Sequence, residues 1–186
     1  MNKLNLKFGF IVALIIVSAI LRILPHLPNV TPLAAMGVFG AAYLKDRWQA
    51  FLIPFLALFF SDLYLNNVIY AGMFKTSGFV WITSAWIYVA FGLAILASQT
   101  ILKTVQTKNI VLASIASSVL FFIVTNLSVF FETNMYPKNI AGLTACFVAA
   151  IPYFGNTMMG DLFFCGVLFG IYEFAKMKLP ENLIKN

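Results

Sequence analysis

Residues 110–131 read IVLASIASSVLFFIVTNLSVFF, 22 consecutive positions without a charge. A membrane-crossing helix needs roughly 17–25 predominantly apolar residues, so this run is one crossing. Working outward from it, five further apolar spans can be drawn, at about 8–24, 32–44, 48–65, 79–101 and 155–175. The chain is 62% hydrophobic and 10% charged, against roughly 45–50% and about 25% in an ordinary soluble domain. A soluble fold of 186 residues leaves too much surface in water to hide that much apolar material. The expected fold is therefore an all-α membrane protein. It is a bundle of six transmembrane helices forming one integral membrane domain over residues 1–186. The second span is short and is expected to tilt inside the bundle or to cross only part of the way. A further apolar stretch near 140–153 precedes Pro152 and Gly155. It reads as a short extra helix, outer or re-entrant, that breaks before the last span.

The basic residues set the orientation. With the N-terminus inside, the inner segments carry Lys3, Lys7, Lys45, Arg47, Lys103, Lys108, Lys176, Lys178 and Lys185, and the outer loops carry only Lys75 and Lys138. Lys and Arg concentrate on the cytoplasmic side of membrane proteins, so both termini are expected in the cytoplasm. The same placement explains the net charge of +6 without nucleic acid as a partner: basic residues flanking spans meet anionic lipid headgroups. Lys3 and Lys7 before a short apolar run also resemble a signal peptide. The apolar run continues past Ala19, however, and removing it would leave an odd number of spans.

Ionisable groups deep in lipid cost about 2.5–3.5 kcal/mol each on insertion scales, so each needs a reason. Arg22, His26, Asn29, Asp62, Asn66, Asn126, Glu132, Asn156 and Asp161 all fall in the outer half of the spans as drawn. Polar groups from four spans therefore converge on one side, as they would around a cavity open to the outside. Asp62 and Asn66 are four residues apart and share a helix face, as do Thr157 and Asp161. Arg22 can pair with Asp62 or Asp161. A bland reading stands beside this one: a buried ion pair and interhelical asparagine bonds can simply lock a bundle. On the inner side the main ionisable residue is Glu173, within reach of flanking lysines.

The stretch LPHLPNVTP at Leu24–Pro32 holds three prolines and reads as a stiff, non-helical outer connection. It is either a rigid turn or a wall that holds His26 and Asn29 at a cavity mouth. Trp81, Trp86, Tyr64, Tyr70, Tyr136 and Tyr153 lie near the same surface and suit interfacial anchors. Small residues four apart, which let helices approach closely, occur at Gly9/Ala13, Gly37/Ala41 and Gly166/Gly170. Packing within the chain is the plainer use of each, while Gly9 and Ala13 are also a candidate docking face for a partner subunit. Cys146 and Cys165 read as small packing residues. One His and two Cys do not suit a structural zinc site. The nucleotide-binding P-loop, G-x-S-x-G and His-Glu-x-x-His motifs are all missing, and no cofactor and no catalytic residue is expected.

The blocks RILPHLPNVTPLAAMGVFGAAY at Arg22–Tyr43, FLALFFSDLYL at Phe55–Leu65, SSVLFFIVTNLSVFF at Ser117–Phe131 and YPKNIAGLTACFVAAIPYFGNTMMGDLFFCGVLFGIY at Tyr136–Tyr172 resemble a family of small bacterial membrane proteins of unknown function, described as candidate transport proteins. More distantly, the layout is similar to the substrate-binding S components of energy-coupling factor transporters. That resemblance implies six helices with both ends in the cytoplasm and a vitamin-type ligand held near the outer face. It also implies a separate transmembrane coupling subunit with two ATPases. Gly9/Ala13 would match the docking pair on their first helix, although it departs from the usual Ala-x-x-x-Ala form.

The expectation that follows is a non-enzymatic, substrate-binding transport protein of the bacterial cytoplasmic membrane. It would take up a small molecule such as a vitamin or precursor at Arg22, His26, Asn29, Asp62, Asn66, Asn126, Asn156 and Asp161. Two rivals are kept: an integral-membrane enzyme acting on a lipid or isoprenoid headgroup through Asp62, Glu132 or Asp161, and an accessory membrane subunit in which the polar cluster is only structural.

Overall fold

The computed structural model describes residues 6–24, 27–72 and 78–178. These residues form six α-helices and no strands: α1 (Leu6–Leu21), α2 (Leu33–Tyr43), α3 (Arg47–Tyr64), α4 (Ala85–Ile101), α5 (Thr107–Glu132) and α6 (Ile140–Lys178). A π-helical turn, Leu65–Ile69, prolongs α3. Three helices are long and apolar enough to cross a membrane: Arg47–Ile69, Thr107–Glu132 and Ile140–Lys178. Helices α1, α2 and α4 are shorter apolar helices. Large apolar side chains stay on the outside of the bundle, Phe60 at 63% and Phe163 at 64% exposure, as suits a protein whose solvent is lipid.

The shortest helix is the hub. Of its 11 residues, Leu33 to Gly40 are all buried, and α2 packs against each of the other five helices. A helix apolar on every side belongs in the interior. At about 16 Å long, α2 crosses only part of the bundle, one of the two outcomes expected of it. In lipid the apolar effect does not draw helices together, so close packing and polar contacts must. Gly37 supplies the packing: a Cβ there would lie 2.9 Å from Ile95 Cγ1 and 3.2 Å from Phe91. The Gly37/Ala41 pair is thus used within the chain. Gly9, Gly166 and Gly170 meet nothing within 4 Å.

Contacts along the helices fix their directions. Tyr43 donates to Glu173 Oε1 at 2.6 Å and Phe10 stacks on Tyr172, so the start of α1 and the ends of α2 and α6 share one end of the bundle. Gln99 reaches the Arg47 carbonyl, which adds the start of α3 and the end of α4. Glu173 also pairs with Lys176 at 3.2 Å, as its flanking lysines suggested. The opposite end holds Arg22, the turn Leu65–Ile69 after α3, residues 78–84 ahead of α4 and the α5–α6 loop.

Two boundaries differ from the sequence expectation. The fourth span was drawn from 79, whereas α4 begins at Ala85. The Asn67 side chain binds both the N–H and the carbonyl of Val80, holding that segment out of a helix. Ser84 then caps α4 through the Trp86 N–H. The second difference is a correction: the short helix near 140–153 and the last span are one continuous helix of 39 residues. Pro152 does not break it. A proline removes one intrahelical bond and kinks the chain, which membrane helices tolerate when neighbours compensate. The real start lies upstream, where Asn139 accepts from the Gly142 N–H at 2.9 Å. A Cβ at Gly142 would lie 2.0 Å from the Pro137 carbonyl oxygen, so only glycine allows the turn to close there.

Candidate functional site

Two polar clusters stand beside one cavity. The first is built on Arg22, just past the end of α1. Its guanidinium lies 2.5 Å from Asp62 Oδ1 and donates to Ser61 Oγ at 2.8 Å. Tyr88 of α4 donates to the other Asp62 oxygen at 2.9 Å. One arginine thereby ties α1 to α3, and the aspartate ties α3 to α4. Asp62 is 4% exposed, and its charge is compensated by the Arg22 guanidinium and the Tyr88 hydroxyl, as burial requires.

The second cluster is built on Asp161 of α6, which is 2% exposed. Ser118 Oγ of α5 lies 2.7 Å from Asp161 Oδ2 and 3.0 Å from the Ser114 carbonyl. The hydroxyl has one proton, and the shorter contact to the carboxylate takes it. The carboxylate also lies against the backbone amide of Ala34 in the first turn of α2, where a helix dipole favours negative charge. Ion pairs among the described residues are Arg22–Asp62 and Lys176–Glu173, so Asp161 has neutral partners only.

Between the clusters lies a cavity of about 490 Å³, within the range of small-molecule sites. One wall is Arg22 with Asn29, Thr31, Leu33 and Ala34; Ser84 and Ile87 of α4 close a side. The facing wall is α5 and α6: Phe121, Phe122, Thr125 and Asn126, with Tyr153, Phe154, Thr157 and Asp161. Local chemistry explains the first wall. Residues 27–32 are not helical, and Asn29 has φ 62°, a left-handed conformation that asparagine tolerates better than most residues. Gly160 lets this segment lie against α6, for a Cβ there would meet the Val30 Cα at 3.1 Å. Asn156 holds the segment by donating to the Pro28 carbonyl at 3.1 Å.

Of the eight residues expected at the site, Arg22, Asn29, Asn126 and Asp161 line the cavity. Asp62 stands behind Arg22. Asn66 is buried in the π-helical turn, accepting from Thr83 at 2.8 Å, and Asn156 braces the wall. His26 lies outside the described residues. Glu132 accepts from Ser84 and Ser128, two cavity-lining residues, and is itself exposed at the rim. Asp161 is deeper than the drawn spans placed it. Because α6 begins at Ile140, Asp161 is far from a helix end, and its partner Ser118 stands near the middle of α5. Sequence reasoning missed Ser61, Tyr88 and Ser118. Serines in apolar helices ordinarily bond their own preceding turn, as Ser18 and Ser98 do, so hydroxyls alone carry little signal; Tyr88 carried none. Cys146 and Cys165 are free and buried, and among the described residues no group of His, Cys, Asp and Glu could hold a metal ion.

Fold and site together define a class: an all-helical protein with membrane-length helices and a polar-floored cavity beside a half-length central helix. Within that class, the chain belongs to the family of unknown function DUF6580, which it matches over residues 2–182. No curated protein and no solved structure matches it.

Proposed function

We propose that this protein is a substrate-binding transport protein of the bacterial cytoplasmic membrane, similar in kind to the S components of energy-coupling factor transporters. In this reading it takes up a small molecule, such as a vitamin or precursor, from the outer face. The observation that carries it is the cavity of about 490 Å³ whose floor is formed by Asp161 and the first turn of α2. Non-helical backbone is tolerated at membrane depth where it lines a cavity, and interrupted helices whose N-termini meet a mid-depth site are a recurring feature of transporters. The non-helical 27–32 segment leading into α2 has that form. All six helices are embedded in the membrane in this reading, with the part-length α2 shielded by the other five.

The described basic residues support the orientation. Lys7, Lys45, Arg47, Lys103, Lys108, Lys176 and Lys178 lie at the helix ends opposite the cavity, which the positive-inside rule assigns to the cytoplasm. Gly9 and Ala13 on α1 are exposed, with open space over Gly9. That leaves a face on which a transmembrane coupling subunit could seat. The test is native mass spectrometry of the protein gently purified from its host membranes. A stoichiometric small molecule is the expected result. A bound lipid alone would move the assignment to a lipid-directed enzyme, and a stoichiometric membrane protein with no small ligand would move it to an accessory subunit.

A further inference from the structure

The charges around the cavity restrict its ligand. Resting on the transport reading, we infer that the substrate is a small organic cation, a protonated amine or quaternary or heteroaromatic ammonium, whose charge sits at Asp161. Arg22 is the cation of the cavity wall, and its charge is matched by Asp62 at 2.5 Å. Asp161 is matched by no cation among the described residues; Ser118 and the Ala34 amide solvate it without neutralising it. A helix N-terminus supplies about half a positive charge, which leaves the floor negative. At the rim stands a second carboxylate, Glu132, held by two serine hydroxyls. Ser118 and Glu132 lie 14 positions apart on α5, about 21 Å along the helix. A cation therefore meets a carboxylate at the mouth and another at the floor, while the rim cation Lys138 is turned to the Phe130 and Thr133 carbonyls at the end of α5.

The body of the ligand follows from the walls. Phe121, Phe122, Tyr153 and Phe154 line the space between rim and floor. Phe154, Thr157 and Asp161 lie three and four residues apart, on one face of α6. Aromatic faces attract organic cations, more strongly where water is excluded. A bare divalent metal ion would want several charged ligands, and among the described residues no group of His, Cys, Asp and Glu could hold one.

A series of matched probes tests this with the full-length protein in detergent: benzyltrimethylammonium, benzyl alcohol and benzoate, which share one ring and differ in charge. Isothermal titration should show the ammonium binding at least about tenfold tighter than either other probe, the scale of one water-excluded contact between a cation and an aromatic face. Asp161→Asn should erase that preference. Phe122→Leu, which keeps an apolar side chain, should weaken the ammonium several-fold and leave benzoate unchanged, so the inference stays testable if the aspartate variant does not fold. Equal binding of the three probes, preference for benzoate, binding of none, or an intact preference in Asp161→Asn would each overturn the inference. A benzoate preference would leave the transport reading standing with the wrong charge. That reading falls separately, if native mass spectrometry of the wild type finds only lipid or only a protein partner.

Discussion

An arginine buried among helices in lipid persists only if its charge is answered, and at Arg22 the answer is Asp62, with Ser61 and Tyr88 completing the hydrogen bonds. Removing one member of such a pair is far worse than removing both, because the survivor keeps its desolvation cost and loses its partner. Asp62→Asn should therefore destabilise the protein by about 3–5 kcal/mol, seen as a lower midpoint in thermal unfolding in detergent. The double variant Arg22→Gln/Asp62→Asn should recover most of that loss. A double-mutant cycle that comes out additive would show that the two residues do not stabilise one another. Asp161 predicts the opposite pattern. With only neutral partners, Asp161→Asn keeps a side chain that can still bond to Ser118 and removes no counter-charge. Its expected cost is at most about 1 kcal/mol, small beside that of Asp62→Asn in the same unfolding assay. Two aspartates that look alike in the sequence are thus assigned to different work, one to the scaffold and one to the cavity.

At the scale of elements, much was legible and the reason is physical. Long apolar runs have one fate in lipid, helix, so α5 at Thr107–Glu132 falls within a few residues of the run 110–131. The failures came where a local device overruled composition. Pro152 suggested a break, but the helix-starting signal was the Asn139–Gly142 turn, and a turn's geometry does not show in hydropathy. The site was legible only in part for a related reason. Charged residues in spans announce themselves, whereas the partners that set their roles, Ser118 and Tyr88, belong to residue types common in any apolar helix. The glycines separate in the same way. Gly142 sits where a Cβ would strike the Pro137 backbone, while Gly166 and Gly170 face open space on α6. Gly142→Ala should cost roughly 1–3 kcal/mol through forced backbone movement. Gly166→Ala should stabilise the isolated chain slightly, since alanine is favoured over glycine in a helix interior by about 1 kcal/mol. Thermal unfolding of the two variants side by side checks both signs; a neutral Gly142→Ala would mean that the α5–α6 turn yields easily.

For the molecule as a whole, the arrangement depends on which end faces the cytoplasm, because that decides which compartment the cavity samples. The structure separates the two ends chemically. One collects Lys7, Lys45, Arg47, Lys103, Lys108, Lys176 and Lys178, and the other holds the cavity mouth, the rim carboxylate Glu132 and Lys138. Lys138 is occupied there, donating to the Phe130 and Thr133 carbonyls at the end of α5, so it behaves as a helix cap more than as a topological signal. Helix α6, about 58 Å long at 1.5 Å per residue, exceeds the roughly 40–45 Å of a whole bilayer with its headgroups. Its ends must tilt or emerge, and positions near both should be reachable by water-soluble reagents. Met135 and Met177 mark the two ends and are 70% and 75% exposed. In intact cells a membrane-impermeant maleimide should label Met135→Cys and spare Met177→Cys, and after lysis it should label both. The native Cys146 and Cys165, each 2% exposed, should stay unlabelled and make the wild type its own control. The reverse pattern would turn the cavity toward the cytoplasm, and a protein that collects substrate from inside the cell would be an exporter or an enzyme, not an uptake component.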